Sequence, residues 1–257
     1  MSKFTDVLDS VGQSSVLPMG FSTNARKEEV IQLACVGLVR TAGTLTDGLA
    51  ELKGLRAVVL AGECIDGDVT EALGNSLWGV WSEGLSVERL AQLKERGCDF
   101  LVGQAEHLPV ETDEDGMGRL LAVSADMDDR LLRTIEDLPV DGVVLMDIPL
   151  ESPLTVHHLM QLGSIRTMFE KHLLVEAPVS LGCSDLKALR DAGVSGIVVT
   201  LDGVPRHALE ELLNRIEGIP ERKAPKKPRG GSVAYLPSPR PGGMMDGDEE
   251  VEGDDDY

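Results

Sequence analysis

The sequence predicts an α/β fold closed into a (β/α)8 barrel, and three observations carry that expectation. Eight short apolar runs recur along the 257 residues, each too short for a helix and bounded by Gly, Pro or Asp. Most gaps between them place apolar residues at three- and four-residue spacing, the period of an amphipathic helix. Three helix-to-strand junctions echo one another: LKERGCDFLVG at 93–103, IEDLPVDGVVL at 135–145 and LRDAGVSGIVV at 189–199. Continuous apolar runs suit strands buried on both faces of a parallel sheet. Eight of them alternating with helices favour a TIM-type barrel over an open doubly wound sheet, which would leave two or three runs unused.

In order, the expected strands are Leu17–Ser22, Arg56–Ala61, Leu77–Ser82, Asp99–Gly103, Arg119–Ser124, Asp141–Met146, His172–Glu176 and Gly196–Leu201. The expected helices are Lys27–Thr41, Ser86–Arg96, Asp128–Leu138, Thr155–Phe169, Ser184–Asp191 and Arg206–Ile216. Ser86 before Glu88, Ser184 before Asp185 and Thr155 after Pro153 supply start signals. Gly97 and Gly193 fit the left-handed position that ends a helix. Residues 44–52 read as an extra helix and 68–73 as a short one. Gln104–Gly118 has no helical pattern, only Pro109 and the acidic run Glu111–Asp115, so one or two outer helices are expected to be absent or replaced by loops.

Three segments follow: residues 1–15 as an N-terminal helix or cover, 16–218 as the barrel, and 219–257 as a disordered tail, basic and then acidic. The tail is rich in Pro, Gly and charge, and such composition cannot bury enough apolar surface to offset ordering entropy. Its Lys223–Arg229 segment offers a docking strip for an acidic protein partner, or folds back on the acidic remainder. The tail holds six basic and nine acidic residues, leaving −17 of the net charge of −20 on the rest of the chain. That acidity, with eight aromatics, argues against nucleic acid and anionic membranes as partners. No apolar run approaches the roughly 18 residues needed to span a bilayer, and MSKFTDVLDS has no export signal, so a cytoplasmic protein is expected. The cysteines, Cys35, Cys64, Cys98 and Cys183, show no metal-ligand spacing. Cys35 and Cys98 read as core residues, while Cys64 and Cys183 follow strands and are candidate reactive thiols.

Barrel active sites lie at the C-terminal ends of the strands. Here those ends carry Ser22 and Asn24, Glu63 and Cys64, Glu83, Gln104 with Glu106 and His107, Ser124 and Asp126, Asp147, Glu176, and Thr200 with Asp202. Five ends deliver a carboxylate, and Asp202 adds a sixth. Asp126, Asp147 and Glu176 come from consecutive strands and suit a Mg²⁺ or Mn²⁺ site of oxygen ligands. Such an ion would polarise a carbonyl or stabilise an enolate while Glu63, Glu83 or His107 moves a proton. The competing reading makes Asp126 and Asp202 helix caps. All nine lysines fall outside the expected strands, which disfavours Schiff-base chemistry. Neither a GxSxG elbow nor a P-loop is present.

The loops APVSLGCSDL (177–186) and LDGVPRHAL (201–209) place Gly182 and Gly203 where backbone amides can approach a phosphate, with Arg206 nearby. On this stretch, EAPVSLGCSDLKALRDAGVSGIVVTLDG (176–203), the chain resembles the aldolase-type and ribulose-phosphate-binding barrel superfamily across about residues 16–218. The resemblance implies a TIM barrel and an activity on a small metabolite. Three readings stand. The first is an enzyme of the lyase or isomerase type, acting on a small carbonyl or carboxylate metabolite, phosphorylated or not, with a divalent metal. The second is a non-catalytic barrel that binds or scaffolds a protein partner through its tail. The third, a flavin-dependent oxidoreductase, rests on the resemblance in these two loops alone, and flavin is otherwise not expected.

Overall fold

In the computed structural model, eight parallel strands close into a barrel in chain order. They are β1 Ala34–Val39, β2 Leu55–Leu60, β3 Leu77–Ser82, β4 Phe100–Gly103, β5 Gly118–Ser124, β6 Gly142–Met146, β7 His172–Glu176 and β8 Gly196–Thr200. The structure describes residues 2–12, 30–41, 52–66, 73–110 and 116–221, without the side chains of Glu63 and Asp66. Its helices are α1 Lys3–Ser10, α2 Val87–Glu95, α3 Asp129–Thr134, α4 Val156–Arg166, α5 Cys183–Asp191 and α6 Arg206–Glu217. Among the described residues, none of them is long and apolar enough to cross a membrane.

Strands β2 to β8 lie within a residue of the expected runs at each end. The first strand differs. The expected helix Lys27–Thr41 is instead β1 over Ala34–Val39, paired with β2 and β8. An unbroken apolar run satisfies helical spacing as readily as any other, so periodicity alone cannot separate a buried helix from a buried strand. ACVGLV has no polar face, and all six residues are buried. Gly37 adds a local reason: a Cβ there would lie 2.6 Å from Leu201 Cδ1, a close approach only glycine permits without a shift. The run at 17–22 with Ser22 and Asn24, the acidic run 111–115, the tail from 222 and most of the segments 44–52 and 68–73 lie outside the described residues.

Strand alternation builds two concentric cores. Side chains such as Val58, Leu60, Leu101, Val143, Leu173 and Ile197 point outward and pack beneath the helices. Their neighbours, including Val36, Val59, Val102, Leu120, Val144, Leu174 and Val198, fill the interior. The void left there is only about 10 Å³ and entirely apolar. Nothing beyond a single water has room in such a space, so the interior is core and not a pocket.

α1 closes the N-terminal end. Its Phe4 and Leu8 are buried in the inner core, and the Phe4 ring stacks on Phe100 with centroids 4.4 Å apart. Asp99, immediately before β4, accepts Ser2 Oγ–H at 2.6 Å, Lys3 N–H at 3.0 Å and Phe4 N–H at 2.8 Å. A carboxylate at a helix N-terminus satisfies otherwise orphaned amides and complements the helix dipole. Asp9 adds a second tie, a 2.9 Å contact to His172 at the start of β7. Glycines make room for this plug: a Cβ on Gly79 would meet the Phe100 ring at 2.7 Å, and one on Gly118 would meet Ser2 Oγ at 2.8 Å. The packed chain continues past α6, where Ile219 is buried and Arg190 donates to the carbonyl of Pro220.

Candidate functional site at the C-terminal mouth

With the interior filled and the N-terminal end plugged, open space lies at the C-terminal ends of the strands. A cavity of about 370 Å³ is bounded by Ile148, Pro149 and Leu150 after β6, by Glu176 to Val179 after β7, and by Val199, Thr200 and Val204 around β8. Its wall is apolar apart from Glu176 and Thr200, whose hydroxyl donates to Glu176 Oε1 at 3.3 Å. Glu176 is half-buried and faces inward because it stands two residues beyond Leu174, which belongs to the inner core. A second cavity, of about 300 Å³, is lined by Arg40 after β1, Ala61 and Gly62 after β2, and Trp81 and Glu83 at the end of β3. Trp81 also roofs the apolar void below. Both volumes match the lower range of small-molecule sites.

The expected acidic residues divide between these spaces and the exposed rim. Glu83 lines the second cavity, and its neighbour Ser82 donates a 2.7 Å hydrogen bond to the carbonyl of His107. His107 is exposed, close enough to Gly84 that a Cβ there would stand 3.8 Å from its ring. The side chain of Glu63 lies outside the described residues. Asp126 and Asp147 are exposed. Asp147 holds a left-handed backbone, φ 61°, a conformation aspartate tolerates better than most residues. Among the described residues, no three His, Cys, Asp or Glu side chains stand together as a metal-ligand group. The expected trio of Asp126, Asp147 and Glu176 is not brought together as such a group: Asp126 and Asp147 are exposed, whereas Glu176 is half-buried in the cavity wall.

The loops expected to take a phosphate are built otherwise. The Gly182 amide donates to Asp185 Oδ2 at 3.1 Å, and the same carboxylate accepts Ser152 Oγ–H at 2.6 Å and Leu154 N–H at 3.0 Å. Burial opposes ionisation of Asp185, but these three donors outweigh it and hold its pKa below the ordinary 3.8. The chain's own carboxylate thus sits on the amide that a phosphate would use. It also corrects the start signal, since α5 begins at Cys183 with Gly182 as its cap and not at Ser184. Gly203, φ 73°, forms the exposed tip of a turn closed by Val204 N–H to Leu201 O at 3.0 Å.

Neither aspartate weighed as a helix cap serves as one. Asp128, not Asp126, caps α3 through Arg130 N–H at 2.7 Å. Asp202 accepts the amides of Arg40 and Thr41, each at 3.0 Å, and so fastens the end of β8 to the end of β1. Cys35, Cys64 and Cys98 are buried and Cys183 is exposed. Burial pushes the thiols of Cys35 and Cys98 up to about 12, which leaves them unreactive. Arg40 and Trp81 were not among the expected site residues. Arg40 was hidden by the helical reading of β1, and Trp81 by its place within an apolar run.

No protein-family model matches the chain, and no curated protein matches it. Solved structures do. A variant of the tryptophan synthase α-subunit from the hyperthermophile Pyrococcus furiosus is 17% identical, with a TM-score of 0.55 over 72% of this chain and 97% of that one. A second variant of that subunit is 18% identical with a TM-score of 0.54 over the same shares. At this identity the likeness establishes the fold alone: the chain is a (β/α)8 barrel.

Proposed function

We propose that the mouth is the active site of an isomerase acting on a small carbonyl or carboxylate metabolite, with Glu176 as its proton-transferring group. One observation carries the reading: a half-buried carboxylate, oriented by the Thr200 hydroxyl, in an otherwise apolar cavity of about 370 Å³. A general base needs reach, orientation and protection from bulk water. In the step envisaged, Glu176 takes a proton from the carbon beside the carbonyl of an α-hydroxycarbonyl substrate, and an enediolate forms. The substrate's hydroxyl proton passes to the former carbonyl oxygen, and the protonated carboxyl returns its proton to the former carbonyl carbon. Glu176 is the sole ionisable group among the cavity's described lining residues. A single group that takes and returns one proton supports an isomerase over a lyase, which must also protonate or expel a leaving group.

The test is deuterium incorporation beside the carbonyl of small keto acids and aldehydes in D₂O, followed by proton NMR. The protein is expected to catalyse exchange on at least one of them. Glu176→Gln is expected to slow that exchange by about 100-fold or more, the usual weight of a general base. Exchange unaffected by Glu176→Gln, or none on any compound, overturns the reading. Ligand-induced stabilisation without exchange would identify a binding barrel instead.

A further inference from the structure

The second cavity at the mouth brings together groups that the proton transfer does not use. Arg40 stands on one side and Glu83 on another, with the half-buried Trp81 between the barrel interior and the opening. Arg40 and Glu83 make no ion pair with each other, although they line the same space. The backbone from which Arg40 projects is fixed, because Asp202 holds its amide and the next one. A cation on a rigid mount, an anion facing the same cavity and an indole beside both form a pattern with two opposite poles and an apolar wall.

We propose that this cavity binds a small zwitterion, an α-amino acid with an apolar side chain. Its carboxylate would pair with the Arg40 guanidinium, its ammonium with the Glu83 carboxylate, and its side chain would pack on Trp81. Arginine presents a planar fork of donors that matches a carboxylate. Glu83 disfavours a doubly anionic ligand such as a phosphate ester, as like charges do at short range. The chain's net charge of −20 acts in the same direction at long range, since it repels anions but exerts no net force on a neutral zwitterion. A cavity of about 300 Å³ lies at the small end of ligand sites, as a single amino acid requires.

This inference rests on the mouth being the binding face, as in the function proposed above, but not on Glu176. The experiment is calorimetric titration of the full chain with L-phenylalanine and L-leucine, against 3-phenylpropionate, which lacks the ammonium, phenethylamine, which lacks the carboxylate, and inorganic phosphate. Tryptophan fluorescence provides a second readout, with Trp81→Phe removing the ligand-induced change while the buried Trp78 remains. At least one amino acid is expected to bind, with each single-charge analogue about tenfold weaker or worse, the weight of one charge-assisted hydrogen bond. Arg40→Met and Glu83→Gln are each expected to weaken it by a similar factor. Both side chains are exposed, so the fold should persist, and an unchanged melting temperature checks that. The proposal is overturned if neither amino acid binds, if 3-phenylpropionate or phosphate binds as tightly, or if Glu83→Gln leaves affinity unchanged. Carbonyl exchange without amino-acid binding would remove this inference and leave the proposed function standing. Amino-acid binding without exchange would do the reverse.

Discussion

The two ends of this barrel are made by the same eight strands and are built in opposite ways. At the N-terminal end the inward positions are small, Ala34, Ala57, Gly79 and Gly118, and a helix fills the space they leave with Phe4 and Leu8. Polar groups there are matched, with Asp99 taking three donors from the chain start and Asp9 meeting His172. At the C-terminal end the same strands finish in Arg40, Glu83, Asp147 and Glu176, around open cavities and with one left-handed aspartate. The difference teaches that the packing which stabilises the barrel is concentrated at one end of its axis, while the proposed function lies at the other. A plug at one end frees the other from contributing much to folding.

That separation can be broken most forcefully at Phe4. Phe4→Ala removes a fully buried ring and its stack on Phe100, and is expected to cost about 3–5 kcal/mol. Urea unfolding should show the loss, while ligand affinity at the mouth stays as it was. An equal loss of affinity would show that the two ends are coupled.

Asp185 comes next, since it ties the loop after β6 to the start of α5. Its folded pKa is depressed, so its contribution to stability is present above the unfolded value and is lost as pH falls through the folded one. Asp185→Asn should therefore flatten the acid limb of the stability curve below about pH 4 and cost about 1–3 kcal/mol at neutral pH. An acid limb unchanged by the substitution would contradict the role given to this carboxylate.

The smallest effect is expected at the mouth, where Arg40→Met and Glu83→Gln should each change stability by no more than about 0.5 kcal/mol, as surface substitutions do. A larger loss would mean that these charges hold the barrel together and are not reserved for a ligand.

Much of this fold was legible because burial on two faces leaves an unmistakable trace. HLLVE, GIVVTL and DGVVLM could hardly be anything but interior strands, and Gly97 and Gly193 take the left-handed turns their positions suggest, each with φ 91°. The same trace misled at β1, where the seven residues from Leu33 to Val39 carry no polar side chain, so that helix and strand periods both fit. Strand ends located the rim, and Glu83 and Glu176 do line cavities there. Direction was legible only within the strands. Glu176 is the last residue of β7, paired with Val198, so strand alternation turns it inward, whereas Asp126 and Asp147 lie beyond their strands on loop backbone that no local pattern encodes. Nor could spacing show that Asp185 would occupy the amide of Gly182, a contact decided by three converging segments.

The central claim is that the mouth acts and the plug only stabilises. It is tested most directly by measuring deuterium exchange into small keto acids in parallel for the unaltered protein, Phe4→Ala and Glu176→Gln, at a temperature where all three are folded. Exchange retained within about twofold by Phe4→Ala and reduced about 100-fold by Glu176→Gln is the predicted result. Exchange that survives Glu176→Gln, or that disappears with Phe4→Ala while the barrel remains folded, would contradict it.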